Sequence, residues 1–377
     1  MTRALASRFR VIALGVMSAV AGTAFAQFRQ DPIYDQREVT APPTVKNLLV
    51  TQRMTISSRG LHFVVGFTHA LEIGVSKITG GHLISDPTVV PRQNEIARKI
   101  SALDAKALSN ALLANPSLKS KIPILNVSPQ PTWGSLDWRQ FGMVSPIKDQ
   151  RAGTCWCYAS IAALESSSRL LNNQPIDASE QYLDTNDTAG YYVPGNWNGG
   201  GYAYLAITYL VSNGTVTEAS DADSDSAGTP NPNEFKPYGG TYWGFCHGAH
   251  GQATVGEIKT ALCAHGPVAT WIDAGGTFGT YTGGVYDDTS TDSVEGHFVA
   301  IIGWDDSKQA WLIKNSWGTT WGDTCGYGSE KGYAWVHYGV HGIGSDSCWV
   351  HDHTTYWQLD LPIIEKLLGT KILHAIK

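Results

Sequence analysis

The chain is short of charge. Only 16% of its 377 residues are Asp, Glu, Lys or Arg, and the net charge is −6. No basic run occurs, which excludes the electrostatic footprint of a nucleic-acid binder. Sparse charge with 42% apolar residues and 40 glycines excludes a disordered or coiled-coil chain and points to a loop-rich globular protein with ample core. Long apolar runs are also scarce: after Val11–Ala21 no second stretch approaches the roughly 20 residues of a membrane span. There are no internal repeats, so solenoids and propellers are excluded. Cysteine is limited to 6 residues, all between Cys155 and Cys348.

What is present divides into four parts. Residues 1–26 read as an export signal: Arg3, Arg8 and Arg10, an apolar segment, then Ala24-Phe25-Ala26 as a cleavage site. The expectation is an exported, soluble protein without a stable membrane span, secreted or in a periplasmic or lysosome-like compartment that permits disulfides. Residues 27–130 open with a polar, Pro-containing stretch, Gln27 to Lys46. The run "LHFVVGFTHALEIGV" predicts a strand. Ile96, Ile100, Leu103, Ala107 and Ala111 predict one face of a helix, closed by Asn115-Pro116. "NVSPQPT" reads as an exposed linker. Residues 131–352 hold every cysteine and most of the tryptophans. Residues 353–377 form an amphipathic tail, with Ile364, Leu367, Leu368, Leu373 and Ile376 predicting a helix docked on the main domain.

The chemistry concentrates in the run "KDQRAGTCWCYAS" and two later segments. A cysteine nucleophile needs a base, a group that orients the base, and donors for an oxyanion. Cys155 precedes a stretch with helical spacing at Tyr158, Ile161, Leu164 and Leu170. At a helix N-terminus, unpaired backbone N–H groups and the helix dipole favour a thiolate. Cys157, two residues on, loses that benefit and reads as a buried thiol. His297 stands at the start of the apolar strand in "EGHFVAIIGWDD", and Asn315 ends a second one in "WLIKNSWGTTWG". Adjacent strands would let the Asn315 amide oxygen accept from one ring nitrogen of His297, with Trp317 and Trp321 covering the bond. Gln150 is placed to donate to an oxyanion beside the Cys155 N–H. Taken singly, each residue has a structural reading: half a disulfide, a strand-end histidine, a turn asparagine. Their joint order is what argues for catalysis.

At these residues the chain resembles the papain family of cysteine peptidases, in which His and Asn follow the Cys far downstream; here they lie about 140 and 160 residues on. "SLDWRQFGMVSPIKDQ", "ASEQYLD", "NWNGGGYAYLAITYLVSNG", "HGPVATWID", "YTGGVYDD", "GHFVAIIGWDD" and "KNSWGTTWGDTCGYGSEKGYAWV" carry the likeness in order. The resemblance implies an α+β papain-like fold, with a helical half carrying Cys155, an antiparallel-sheet half carrying His297 and Asn315, and a cleft between. It implies Cys155 as nucleophile, His297 as general base and acid, Asn315 as its orienting partner and Gln150 in the oxyanion hole. Gly199 and Gly200 match the segment whose backbone pairs with an extended substrate. Trp317 and Phe298 complete the expected substrate contacts, Phe298 narrowing the pocket for the substrate's second residue before the cut. Family members carry a prosegment that blocks the cleft, and residues 27–130 take that place without the familiar interspersed helical motif. Gln150 stands one residue nearer Cys155 than is usual, and the usual preceding cysteine is Ala152.

The expected protein is therefore a secreted cysteine endopeptidase made as a zymogen. It would work through a thioester acyl-enzyme on peptide or protein substrates, as a monomer inhibited by its own prosegment, with no metal or cofactor. Cys155 and His297 are expected to rest as an ion pair. The rivals are an impaired peptide-binding protein of the same fold and an acyl-transferase or deamidase on the same residues. Proximity suggests the disulfides Cys246–Cys263 and Cys325–Cys348. A zinc site at Cys246, His247 and His250 fits no common ligand spacing.

Overall fold

A computed structural model describes residues 30–120, 128–186, 200–223, 234–290 and 294–353. The polar stretch that opens the first block is helical, as α1 (Pro32–Thr40) and α2 (Pro43–Arg59). Each has proline in its first turn, where no N–H is needed and the fixed φ helps. Asp31 caps α1 by accepting the Ile33 N–H at 3.0 Å. The expected long strand shrinks to β1 (Phe63–Val65). Gly66 then lets the chain lie against Tyr34, whose Cβ would be 2.9 Å from an added side chain. Thr68 caps α3 (His69–Ile73) by accepting the Leu71 N–H at 3.1 Å. The predicted helix is α4 (Val89–Ala114), but its buried side is Val90, Gln93, Ala97, Ile100 and Asp104, offset from the expected stripe.

The body follows with β2 (Ser135–Asp137), α5 (Cys155–Asn172), α6 (Glu180–Asn186), α7 (Ala203–Ser212), β3 (Gly240–Phe245) and α8 (Val255–His265). Then come β4 (Val268–Asp273), β5 (Tyr281–Tyr286), β6 (Gly296–Asp305), β7 (Ala310–Lys314), β8 (Tyr333–His337) and β9 (Ser345–Asp352). One sheet runs in the order β1-β5-β8-β7-β6-β4-β9-β3, with β2 paired to β6. All pairs are antiparallel except β5 with β8. This is the α+β arrangement expected, with α5 and α7 on one side of the groove and β6 and β7 on the other.

Two apolar clusters hold the body. The larger fills the sheet half with Trp138, Trp304, Trp311, Trp317, Trp321, Tyr281 and Tyr286. The second surrounds α5 and α7 and includes Cys155, Ile161, Leu164, Ile207 and Leu210. The N-terminal block enters both, through Leu49, Ile78, Ile84 and Val90. Fully burying such a side chain contributes about 1.5–3 kcal/mol, against about 0–1 kcal/mol for a partly exposed ion pair such as Lys331–Asp31 at the same seam. Apolar contact therefore dominates the docking of the block. Among the described residues, no helix is long and apolar enough to cross a membrane.

The cysteines correct one expectation. All six are free thiols. Cys325 packs beside the cluster of Ala162, Ala300, Leu312 and Tyr333, whereas Cys348 lies in β9 within the cluster around α5, so the two are in different parts of the core. Cys246 directly follows β3 and donates its N–H to Ser347 O in β9, while Cys263 sits on α8. The zinc reading fares no better: the His250 ring bonds the Ile84 carbonyl at 2.8 Å and the His247 ring bonds the Ala249 carbonyl at 2.5 Å.

Candidate active site

Cys155 is the first residue of the 18-residue helix α5, where four backbone N–H groups lack helical partners. Its sulfur is fully buried. Burial pushes the thiol up to about 12, even though the backbone N–H groups of Phe298, Gly80, Trp156 and Cys155 itself pull it back. The pull from Phe298 ties the sulfur to the residue directly after His297.

β6 presents His297 at its second residue, and Asn315 follows the last residue of its neighbour β7. His297 Nε2 lies 2.8 Å from Asn315 Oδ1. That oxygen also accepts the Ser316 N–H at 2.8 Å, which fixes the amide's orientation. An accepting oxygen requires the hydrogen on Nε2, so Nδ1 is the basic nitrogen of the neutral ring. Nδ1 has no hydrogen-bond partner among the described residues. Trp317 lies over the ring, centroids 4.5 Å apart, and Trp321 meets Trp317 edge-on. Burial drives His297 down to about 4, only partly offset by the bond to Asn315. Both shifts disfavour the expected ion pair while the block fills the groove. A thiol pushed up and an imidazole pushed down rest as a neutral pair.

Gln150 reaches the site but is occupied. Its Nε2 donates to the carbonyl oxygens of Ile78 at 3.0 Å and Ala152 at 2.7 Å, and its Oε1 accepts from the Ser316 hydroxyl. Trp317 Nε1 donates to the same Ile78 carbonyl at 3.3 Å. Behind Asn315, the half-buried Lys148 meets the buried carboxylates of Glu165 and Glu180 at 3.3 and 2.9 Å, and the exposed Asp177 at 3.0 Å. Burial raises the Glu180 carboxyl to about 8 against the pull of Lys148. Breaking such a buried group by removing one partner typically costs about 3–5 kcal/mol, so it fixes the scaffold under the site.

The groove is filled by the N-terminal block. Gly80 and Gly81 both donate to the Gly296 carbonyl, at 2.9 and 2.8 Å. On the other wall Gly201 donates to Gly80 O at 2.8 Å and accepts from His82 N at 2.9 Å, in parallel register. Trp271 Nε1 donates to Gly81 O at 3.0 Å. Further on, the Ile84 N–H donates to the Asp346 carboxylate at 2.7 Å. Only glycine fits the crossing. A Cβ on Gly80 would lie 2.5 Å from Gly153 O and 3.0 Å from Gly200 Cα, both backbone atoms. One on Gly81 would lie 2.8 Å from Phe298 Cδ2.

Sequence reasoning named Gly199 and Gly200 for backbone pairing. Gly199 lies outside the described residues; Gly200, at φ +74, lies against Gly80, and the paired residue is Gly201. Phe298 and Trp317 both touch the crossing chain. The crossing segment itself, Ile78 to Ile84, was missed. Its signal was the Gly-Gly pair in "KITGGHL", the residue choice for close backbone approach. Replacing Gly80 by valine should lift the crossing and raise the alkylation rate of Cys155 in the intact chain by at least about tenfold, through water access and a falling thiol pKa. Timed iodoacetamide labelling with mass detection checks this; an unchanged rate would mean that the crossing does not guard the sulfur.

Comparison with known proteins agrees with this geometry. The family described as papain family cysteine protease matches residues 133–356. A cathepsin L-like peptidase of Aedes aegypti is 37% identical over 199 residues, covering 50% of this chain and 56% of that protein. Digestive cysteine proteinase 1 of Homarus americanus is 32% identical over 224 residues, covering 57% and 66%. The chain thus spans little more than half to two thirds of these curated relatives. The solved digestive procathepsin L2 of Tenebrio molitor superposes with a TM-score of 0.59 at 21% identity, over 86% of this chain and 95% of that one. At that identity the likeness is one of fold, and it takes in the N-terminal block as well as the body. With the family matched over more than half its length, the chain belongs to the papain family of cysteine proteases.

Proposed function

We propose that the protein is a cysteine endopeptidase made as a self-inhibited precursor, with residues 27–130 as prosegment and residues 131–352 as the catalytic domain. The observation that carries this is the bond from His297 to Asn315 beneath Trp317, beside a cysteine at a helix N-terminus. The proposed reaction starts once the block has left. Water enters, the thiol pKa falls, and His297 Nδ1 takes the Cys155 proton. The thiolate adds to a peptide carbonyl, and the Cys155 N–H and the freed Gln150 amide receive the oxyanion. His297 gives its proton to the leaving amine, a thioester forms, and a water activated by His297 hydrolyses it. Asn315 keeps Nδ1 aimed throughout, and Gly201 pairs with the substrate backbone.

The inhibited state has support of its own. The Gly80 amide favours the thiolate, yet burial under the crossing chain outweighs it and keeps the thiol protonated. The Ile78 carbonyl occupies the Gln150 donor that an oxyanion would need. Export is proposed from residues 1–26, and a monomeric state from the burial of the groove within one chain; the signal and the tail after His353 lie outside the described residues.

Intact mass after treatment with an epoxide thiol inhibitor tests the reading. The processed wild type should gain one adduct and Cys155→Ala none. No adduct on the processed wild type would favour the impaired, peptide-binding alternative, and a product mass showing acyl transfer would favour the transferase. Gln150→Ala should lower kcat by about 10²-fold with KM little changed, the usual effect of losing one oxyanion donor. A loss below about threefold would show that the shortened spacing keeps Gln150 bound to Ala152 and out of the reaction.

A further inference from the structure

β3 is the last strand of the sheet, and its far edge is read by side-chain amides. Toward β9 the strand pairs through alternate residues, with the Cys246 N–H donating to Ser347 O at 2.8 Å. Trp243, Phe245 and His247 therefore turn their backbone groups to the open edge. Gln93 Nε2 of α4 donates to Trp243 O at 2.8 Å. The Asn94 amide accepts the Phe245 N–H and donates to His247 O, both at 2.8 Å. The helix thus satisfies by side chains what a neighbouring strand would satisfy by backbone. Gly244 leaves room here for the Trp349 ring, which an added Cβ would meet at 2.6 Å, and for Ala97 of α4 at 3.2 Å.

Among the described residues, the strand itself carries nothing that blunts this edge. Gly240–Phe245 reads "GTYWGF", with no charge and no proline, the residues that usually blunt an exposed strand. Its apolar face is aromatic: Trp243 and Phe245 rings are 5.2 Å apart, and both contact Tyr204, at 6.2 and 6.0 Å. The same row continues to the groove. Tyr204 meets Tyr202 at 5.6 Å, and Tyr202 meets His82, whose N–H donates to Gly201 O, at 5.5 Å. At about 3.3 Å per residue, an extended chain leaving the groove past Tyr202 reaches β3 within roughly five residues.

We propose that, once the N-terminal block is removed, the open edge of β3 is a second polypeptide-binding element, which takes an extended segment of the protein substrate by strand addition. The inference rests on the peptidase reading and gives it a substrate class: unfolded or extended chains longer than the groove, with apolar side chains at alternate positions. Trp243, Phe245 and His247 supply the backbone pairing, and Tyr202 and Tyr204 guide the chain from the groove. Substrate continuity favours this occupant over a second copy of the enzyme, because the block already runs unbroken from the groove to the edge.

The test uses processed enzyme and two peptides, one filling the groove and the same peptide extended by about six residues at either end. Extension at one end should lower KM about tenfold, with kcat little changed, as about three added backbone hydrogen bonds allow. Single N-methylation along the extension should abolish the gain at alternate residues only. Anisotropy with thiol-alkylated enzyme gives the same comparison without turnover. No gain from either extension, or a loss equal at every N-methyl position, would overturn the proposal. So would sedimentation showing a dimer of the processed enzyme that the extended peptide does not dissociate. Tight binding of the extended peptide with cleavage of neither would count against the peptidase reading alone.

Discussion

The neutral state of Cys155 and His297 depends on water being excluded by a crossing that only two glycines can make. Gly80 and Gly81 bring main chain against Gly153, Gly200, His297 and Phe298, where any side chain would collide with backbone. With water out, burial pushes the thiol to about 12 and the imidazole to about 4. Set against an ordinary thiol, the first shift alone favours the protonated form by on the order of 4 kcal/mol. The helix N-terminus and the nearby amides act in the opposite direction and lose. The features that equip Cys155 as a nucleophile are thus present in full and overruled by desolvation.

Three contacts of the N-terminal block answer three needs of the body. Gly80 turns an N–H to the sulfur, Ile78 turns a carbonyl to Gln150, and Gln93 and Asn94 cover the β3 edge. Each occupies a group the active enzyme would use: the thiol, the oxyanion donor and the sheet edge. Apolar burial of Leu49, Ile78, Ile84 and Val90 holds the block in place while these contacts are made. Inhibition and protection of an aggregation-prone edge are, in this account, one act of docking.

The parts of the site that were legible in the sequence are those fixed by local pattern. Helical spacing after Cys155 placed it at the start of α5, and apolar runs placed His297 and Asn315 on neighbouring strands. α1 and α2 were legible in principle, through Asp31-Pro32 and Pro42-Pro43, but the polar composition between hid them. What local pattern cannot show is which distant segments meet. The pairing of Gly81 with Gly201, the grip of Gln150 on Ile78 and the cover of α4 on β3 all join residues far apart in the chain. The charge state of the intact chain was hidden for the same reason: it is set by burial under a segment whose position no spacing rule reveals. Proximity in sequence likewise misled on the cysteines, because Cys325 and Cys348 pack in different clusters.

The central claim is that the block, and not the intrinsic chemistry of Cys155, keeps the thiol protonated. Its direct measurement is the pH dependence of thiolate absorbance at Cys155, taken as the difference between wild type and Cys155→Ala, before and after removal of the block. A thiol raised to about 12 carries no thiolate through neutral pH, so the intact chain should show no Cys155 titration below about pH 10. After removal, the thiolate should appear at acid to neutral pH and persist upward, coupled to protonation of His297. A thiolate already present at neutral pH in the intact chain would contradict the account, as would an unshifted titration once the block is gone.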